Sequence, residues 1–280
     1  MATELLPLSI HWRPQLPEPT RVIIILEELG LPYVGLYIPR ASLNTRKYLK
    51  INPFSKVPTL HDPNTRLILP EASAIVQYLL DTYDEDGLLT CSASPDKYQL
   101  LQWFHFQSAI YTPAIEALAN FSYFQNTGVQ SAKEHYTAEV RRCIGVLDRQ
   151  LKRQEWLVGD KCTYVDLGFV AWNAVVGRLM AGRRWNPEHE FPHWWKWHMA
   201  LMGRDSVRKA MGMKTVENVR GEDRRVRGTP ELDSGTEFDS EEDDESDIEF
   251  VEIMDVEKMA IPAISIRAAI VETRDGKAWS

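Results

Sequence analysis

Three sets of residues have side chains and spacings that bear on chemistry. His189, His193 and His198 fall close together, as metal ligands can. Trp194, Trp195 and Trp197 are interleaved with them, and no carboxylate stands at ligand spacing, so the expectation is a packed aromatic helix and no metal. Cys91, Cys143 and Cys162 are odd in number and widely spaced, which argues against a disulfide framework and for a reducing compartment. The third set joins a proline to carboxylates. In "INPFSKVPTLHD", Pro58 sits inside what otherwise reads as a strand, where proline removes a ladder donor. The backbone beside Val57 is therefore left for some partner other than the next strand. Glu71 follows Pro70 at a helix start and suits the positive end of the dipole. Glu18, within "LPEPTRV", reads either as a solvated loop charge or as a site carboxylate.

The elements that must position these groups alternate at first. "LSIHW" and "YVGLYI" are strand-like, and "TRVIIILEELG" between them ends on Gly30, a helix stop. Its β-branched run favours a strand by propensity, but Leu26 and Leu29, three apart, point to a buried helix. "NTRKYLKI" reads as a short helix. "KVPTLHD" and "RLIL" around "DPNT" read as an antiparallel hairpin, and "PEASAIVQYLLDTY" closes the unit as a helix. The fold class is thus an α/β unit of order βαβαββα, at residues 5–86, followed by an all-α unit at residues 95–215. In the second unit apolar residues recur at three- and four-residue spacing. Thr163-x-x-Asp166 has the spacing of a reciprocal helix cap. Residues 217–280 form an acidic tail with few large apolar residues, expected to be disordered. In it Ser240 and Ser246 precede acidic residues, at spacing that suits acidophilic kinases; the tail reads either so or as a plain solubilising extension.

The net charge is -8 and no basic run occurs, which disfavours nucleic acid as a partner. No signal peptide and no bilayer-length apolar run are visible, so the expectation is a cytoplasmic protein with no membrane partner.

"NPFSKVPTL", "PEASAIVQYLLDTYD" and "LVGDKCTYVDLGFVAW", in that order, resemble a cytosolic glutathione transferase. The likeness is closest to the fungal subclass that includes the prion-forming nitrogen regulator, whose second domain has helices similar to "YTAEVRRCIGVLDRQL" and "FPHWWKWHM". It covers about residues 5–215 and implies a thioredoxin-like first domain and a homodimer. It also implies a cis proline at Pro58, with the backbone of Val57 paired to the cysteinyl unit of glutathione. Glu71 would hold the γ-glutamyl group. The serine expected beside it is Ala72 here, with Ser73 one position on as a substitute.

Other departures concern the thiol. The subclass asparagine that donates to the glutathione sulfur falls at Glu18, the candidate catalytic residue, where a carboxylate repels thiolate unless it is protonated or acts as a base. A polar residue expected to meet the glycyl end falls at Leu43. Trp12 and Arg13 occupy the place of the tyrosine or serine of other classes. Trp12, and Phe104 and Tyr111 on the first long helix of the second unit, are expected at the wall of a pocket for a hydrophobic electrophilic small molecule, although about half of the aromatics of that helix are expected in the core. The implied activity is presentation of glutathione, as co-substrate, for conjugation or isomerisation in fungal secondary metabolism. The alternative is a non-catalytic interaction module on the same scaffold.

Overall fold

The computed structural model describes residues 5–212 except 14–15, 92, 124–128 and 182–183; the acidic tail expected at 217–280 lies outside the described residues. Buried Leu8, Ile10 and Trp12 alternate with half-buried Ser9 and His11, the period of a strand, and form β1 (Leu8–Trp12). The chain crosses through α1 (Pro17–Glu28) to β2 (Tyr33–Tyr37), which lies parallel to β1, as such a crossover permits. After α2 (Arg46–Leu49), β3 (Thr59–Asp62) pairs antiparallel with β1, with Ile10 opposite Leu60. A turn then leads to β4 (Leu67–Pro70), antiparallel to β3, and α3 (Ala72–Tyr83) follows. The sheet order is β2-β1-β3-β4: a thioredoxin-like unit with the element order read from the sequence.

One boundary differs from the reading. The third strand begins at Thr59, so Pro58 stands at its entrance rather than inside it. The β-branched run of α1 is helical because tertiary burial overrides strand propensity. Val22 to Leu26 are all fully buried, since α1 packs against α3 and also against two helices of the second unit.

That second unit comprises α4 (Asp96–Phe106), a π turn (Gln107–Tyr111) and α5 (Thr112–Tyr123). It continues through α6 (Gln130–Leu151), α7 (Tyr164–Met180), α8 (Pro187–Glu190), α9 (Pro192–Met202) and α10 (Asp205–Gly212). Between α4 and α5 the helical path is widened by the π turn, a distortion often found beside functional sites. The two units share one core, and Arg204 donates to Glu28 at 2.6 and 2.7 Å, fastening the C-terminal helices to α1.

Asp166 does more than cap α7. Besides taking the Thr163 N–H at 3.0 Å and the Thr163 hydroxyl at 2.9 Å, it accepts from the Leu157 N–H and the Trp197 indole. All three cysteines are free thiols. Among the described residues no metal-holding group of His, Cys, Asp or Glu occurs, and no helix is long and apolar enough to cross a membrane.

His198 packs flat on Trp194, with ring centroids 5.5 Å apart, and burial lowers its pKa to about 4 from an ordinary 6.5. The unfolded chain therefore binds a proton that the folded chain excludes. Stability should fall as pH drops from 6.5 towards 4, by about 3 kcal/mol from this residue, and change no further below. Denaturant titrations at both ends of that window, with His198→Phe as reference, should show the variant losing that much less. An identical pH slope in both proteins would remove His198 from the account.

Candidate functional site

A cleft of about 230 Å³ opens where the two units meet. Asn52, Lys56, Val57, Pro58, Glu71, Ala72 and Ser73 line it from the sheet side, and Ser108, Thr112 and Glu116 from the helical side. Glu18 and Arg21 of α1 complete it.

The loop ahead of β3 is held by a local network. The Tyr48 hydroxyl and the Asn52 amide both donate to the Lys56 carbonyl, at 2.8 and 2.7 Å. Asn52 also donates to Thr59 at 2.9 Å and accepts from the Phe54 N–H. Lys56 and Val57 are thereby clamped, and the Val57–Pro58 peptide is cis. No described residue hydrogen-bonds the Val57 backbone, so its N–H and C=O remain as one unit of unpaired strand edge.

Glu71 immediately precedes α3 with φ 74° and ψ 111°, left-handed backbone that a non-glycine residue adopts at a cost of about 1–3 kcal/mol. The surroundings hold it there: the Glu71 carbonyl accepts from the Ile75 N–H at 2.9 Å, closing the first turn of the helix. Ala72 and Ser73 follow at the helix N-terminus, where amides point outward. The Ser73 hydroxyl accepts from Arg21 at 2.8 Å, so it lies in the cleft but already has a protein partner.

Arg21 is the hub, only 2% exposed. Its guanidinium donates to Gln107 at 2.7 Å and to Ser73, pairs with Glu18 at 3.1 Å, and lies over the Phe104 ring. Glu18 is not a loop charge. It sits in the first turn of α1, where it accepts from the Trp172 indole at 2.7 Å and so ties α1 to α7. Both of its oxygens are engaged. Glu116 is the contrasting carboxylate. Burial and then the charge of Glu18 push its pKa up, Lys56 opposes them, and no described residue donates a hydrogen bond to it.

The aromatic wall expected from the sequence is not in the cleft. Trp12 is buried over Gly35, where an added Cβ would come within 2.8 Å of the indole nitrogen. Phe104 packs edge-on against Tyr164, and Tyr111 is fully buried with its hydroxyl donating to Asn173 at 2.6 Å. Leu43 is absent from the lining, and its carbonyl accepts from Ser55. The wall opposite Val57 is instead polar. Sequence reading passed over Ser108, Thr112 and Glu116, although their four-residue interval among apolar neighbours was visible. Two buried atoms bordering the cleft, Thr112 Oγ1 and Arg21 Nε, have no hydrogen-bond partner among the described residues, which suits a polar ligand.

Two family models match the chain: the glutathione S-transferase N-terminal domain over residues 17–82 and the C-terminal domain over residues 108–205. Glutathione S-transferase-like protein tpcF of Aspergillus fumigatus is 35% identical over 204 residues, covering 70% of this chain and 91% of that protein. Among solved structures, the glutathione transferase URE2P8 of Phanerochaete chrysosporium with oxidized glutathione superposes with a TM-score of 0.69 at 30% identity, covering 75% of this chain and 95% of that one. Ure2p in complex with glutathione gives a TM-score of 0.69 at 32% identity, over 74% of this chain and 99% of that one.

Proposed function

The chain belongs to the glutathione S-transferase family, in its Ure2-like subclass, and on that premise we propose that it binds glutathione in this cleft and presents the thiol to an electrophilic small molecule. The observation that carries the reading is the unpaired Val57 backbone, clamped by Tyr48 and Asn52 beside a Glu71 of left-handed backbone. An extended tripeptide adds to such an edge through main-chain hydrogen bonds. Glutathione carries one ammonium and two carboxylates. Glu71 suits the ammonium, and the α3 amides and Lys56 suit the carboxylates. Holding the sulfur beside a second bound molecule supplies proximity.

Calorimetric titration with glutathione tests this. Binding should be measurable, and Glu71→Gln should weaken it roughly 10- to 100-fold, the worth of one charge-assisted hydrogen bond. No heat at millimolar glutathione would overturn the proposal. We extend it to a cytoplasmic homodimer that conjugates or isomerises an intermediate of fungal secondary metabolism. Light scattering and the metabolite profile of a deletion strain are the corresponding checks. A second reading, binding without chemistry, draws on the missing hydroxyl at Ala72 and on the engaged oxygens of Glu18. Under it, bound glutathione reacts with chlorodinitrobenzene no faster than free glutathione does.

A further inference from the structure

Along the π turn and α5, Ser108, Thr112 and Glu116 recur at four-residue intervals, and all three line the cleft. Their neighbours Tyr111, Ile115 and Leu118 are fully buried in the core, so this polar row faces the cleft from a segment whose other side packs inward. Buried threonines usually return their hydroxyl to the carbonyl four residues back, as Ser108 does to Phe104 at 3.1 Å. Thr112 does not. It is 8% exposed and Oγ1 has no hydrogen-bond partner among the described residues. Four residues on, the Glu116 carboxyl also receives no hydrogen bond from a described residue, while Glu18 on α1 and Lys56 on the loop before β3 are the charges that reach it. Two polar groups in register thus await something within the cleft.

We infer that Glu116 is the proton-transfer residue of this cleft, and that the Ser108–Thr112–Glu116 row receives the oxygen end of a conjugated carbonyl electrophile. The inference rests on glutathione occupying the Val57 side. Glu18 cannot take this role, because the Trp172 indole and Arg21 hold its oxygens. Glu116 lines the cleft with a carboxyl that receives no hydrogen bond from a described residue, and burial and then Glu18 increase its affinity for a proton, the direction that suits a residue that takes up and returns one.

The step balances without an oxidant. Glu116 carboxylate takes the thiol proton, and the sulfur lone pair forms a bond to the β-carbon of the enone. The carbon–carbon π pair moves through the α-carbon to the carbonyl oxygen, where the Thr112 hydroxyl donates to the developing charge. Glu116 then returns the proton to the α-carbon, and the product is the thioether with its carbonyl restored.

Benzylideneacetone is the enone probe, compared with chlorodinitrobenzene, whose substitution expels chloride and needs no proton returned to carbon. Glu116→Gln should lower kcat/KM for the enone about 100-fold, and at least tenfold more than for chlorodinitrobenzene. Its acidic limb in the pH–rate profile should disappear, with partial recovery in Glu116→Asp. Calorimetry of glutathione binding in two buffers of different ionisation heat should find fewer protons exchanged by Glu116→Gln, at an affinity within about threefold of the parent. A variant as fast as the parent on the enone, with the same pH profile, overturns the inference and leaves glutathione binding standing. A parent that binds glutathione but adds no thiol to the enone also overturns it. If neither protein binds glutathione, the proposed function falls first and this inference with it.

Discussion

Asp166→Ala is expected to lower the free energy of unfolding by about 4 kcal/mol and the melting temperature by about 10 °C. The carboxylate is buried and accepts four hydrogen bonds: from the N–H of Leu157, the N–H and hydroxyl of Thr163, and the Trp197 indole. Alanine leaves those donors dry and unpaired, and each buried unsatisfied donor costs about 1–3 kcal/mol before relaxation. Typical domains hold only about 5–15 kcal/mol in total, so soluble yield should drop as well. Asp166→Asn is the informative companion. One amide oxygen still accepts two bonds, while the new NH₂ faces two donors, so a loss of about 2–3 kcal/mol is expected. Denaturant titration followed by tryptophan fluorescence measures both. An alanine variant within 1 kcal/mol of the parent would show that water replaces the carboxylate.

The second large effect is expected at Arg21. Its guanidinium binds Glu18, Ser73 and Gln107 at once, and Gln107 in turn donates to the Gly168 carbonyl on α7. One side chain thereby links α1, α3, the π turn and α7. Arg21→Met keeps much of the apolar stem but strands Glu18 beside Glu116, with a loss of about 3–5 kcal/mol. Ser73 and Glu18 both lose their tether at the cleft, so glutathione affinity should fall at least tenfold, by calorimetry. The double variant Arg21→Met/Glu18→Gln should recover part of the stability, because the uncompensated charge is gone. Arg21→Lys should recover little, since an ammonium cannot span three acceptors held at fixed angles. If the double variant is no more stable than Arg21→Met, the lost Arg21–Glu18 pair is not the source of the cost.

Local pattern explains why most of the fold could be read in advance. Period-two burial in Leu8–Trp12, the Thr163-x-x-Asp166 spacing and the three- and four-residue spacing of the helices each depend on residues near one another in the chain. The sequence, taken by itself, determined the thioredoxin-like unit, the helical unit and the family. It also marked Val57, Pro58, Glu71 and Ser73, which the structure gathers along one wall of the cleft. Proline is costly inside a strand, and Pro58 stands just ahead of β3 instead.

What the chain order could not supply is which side chains meet across it. Trp12, Phe104 and Tyr111 are large and apolar, so a pocket and a core would use them equally well, and tertiary packing assigned them to the core. Glu18 reads equally as a loop charge or as a site carboxylate until Trp172, 154 positions away, is seen to donate to it. Glu116 shares a four-residue interval with Ser108 and Thr112, but nothing local to it tells a cleft carboxylate from a surface one. Only the folded chain sets it in the cleft within reach of the charges of Glu18 and Lys56. Propensity and periodicity act over one or two turns of chain, which is why they specify elements. Burial and electrostatic fields act through space, and they decided which carboxylate of this cleft is held by two partners and which receives no hydrogen bond from a described residue.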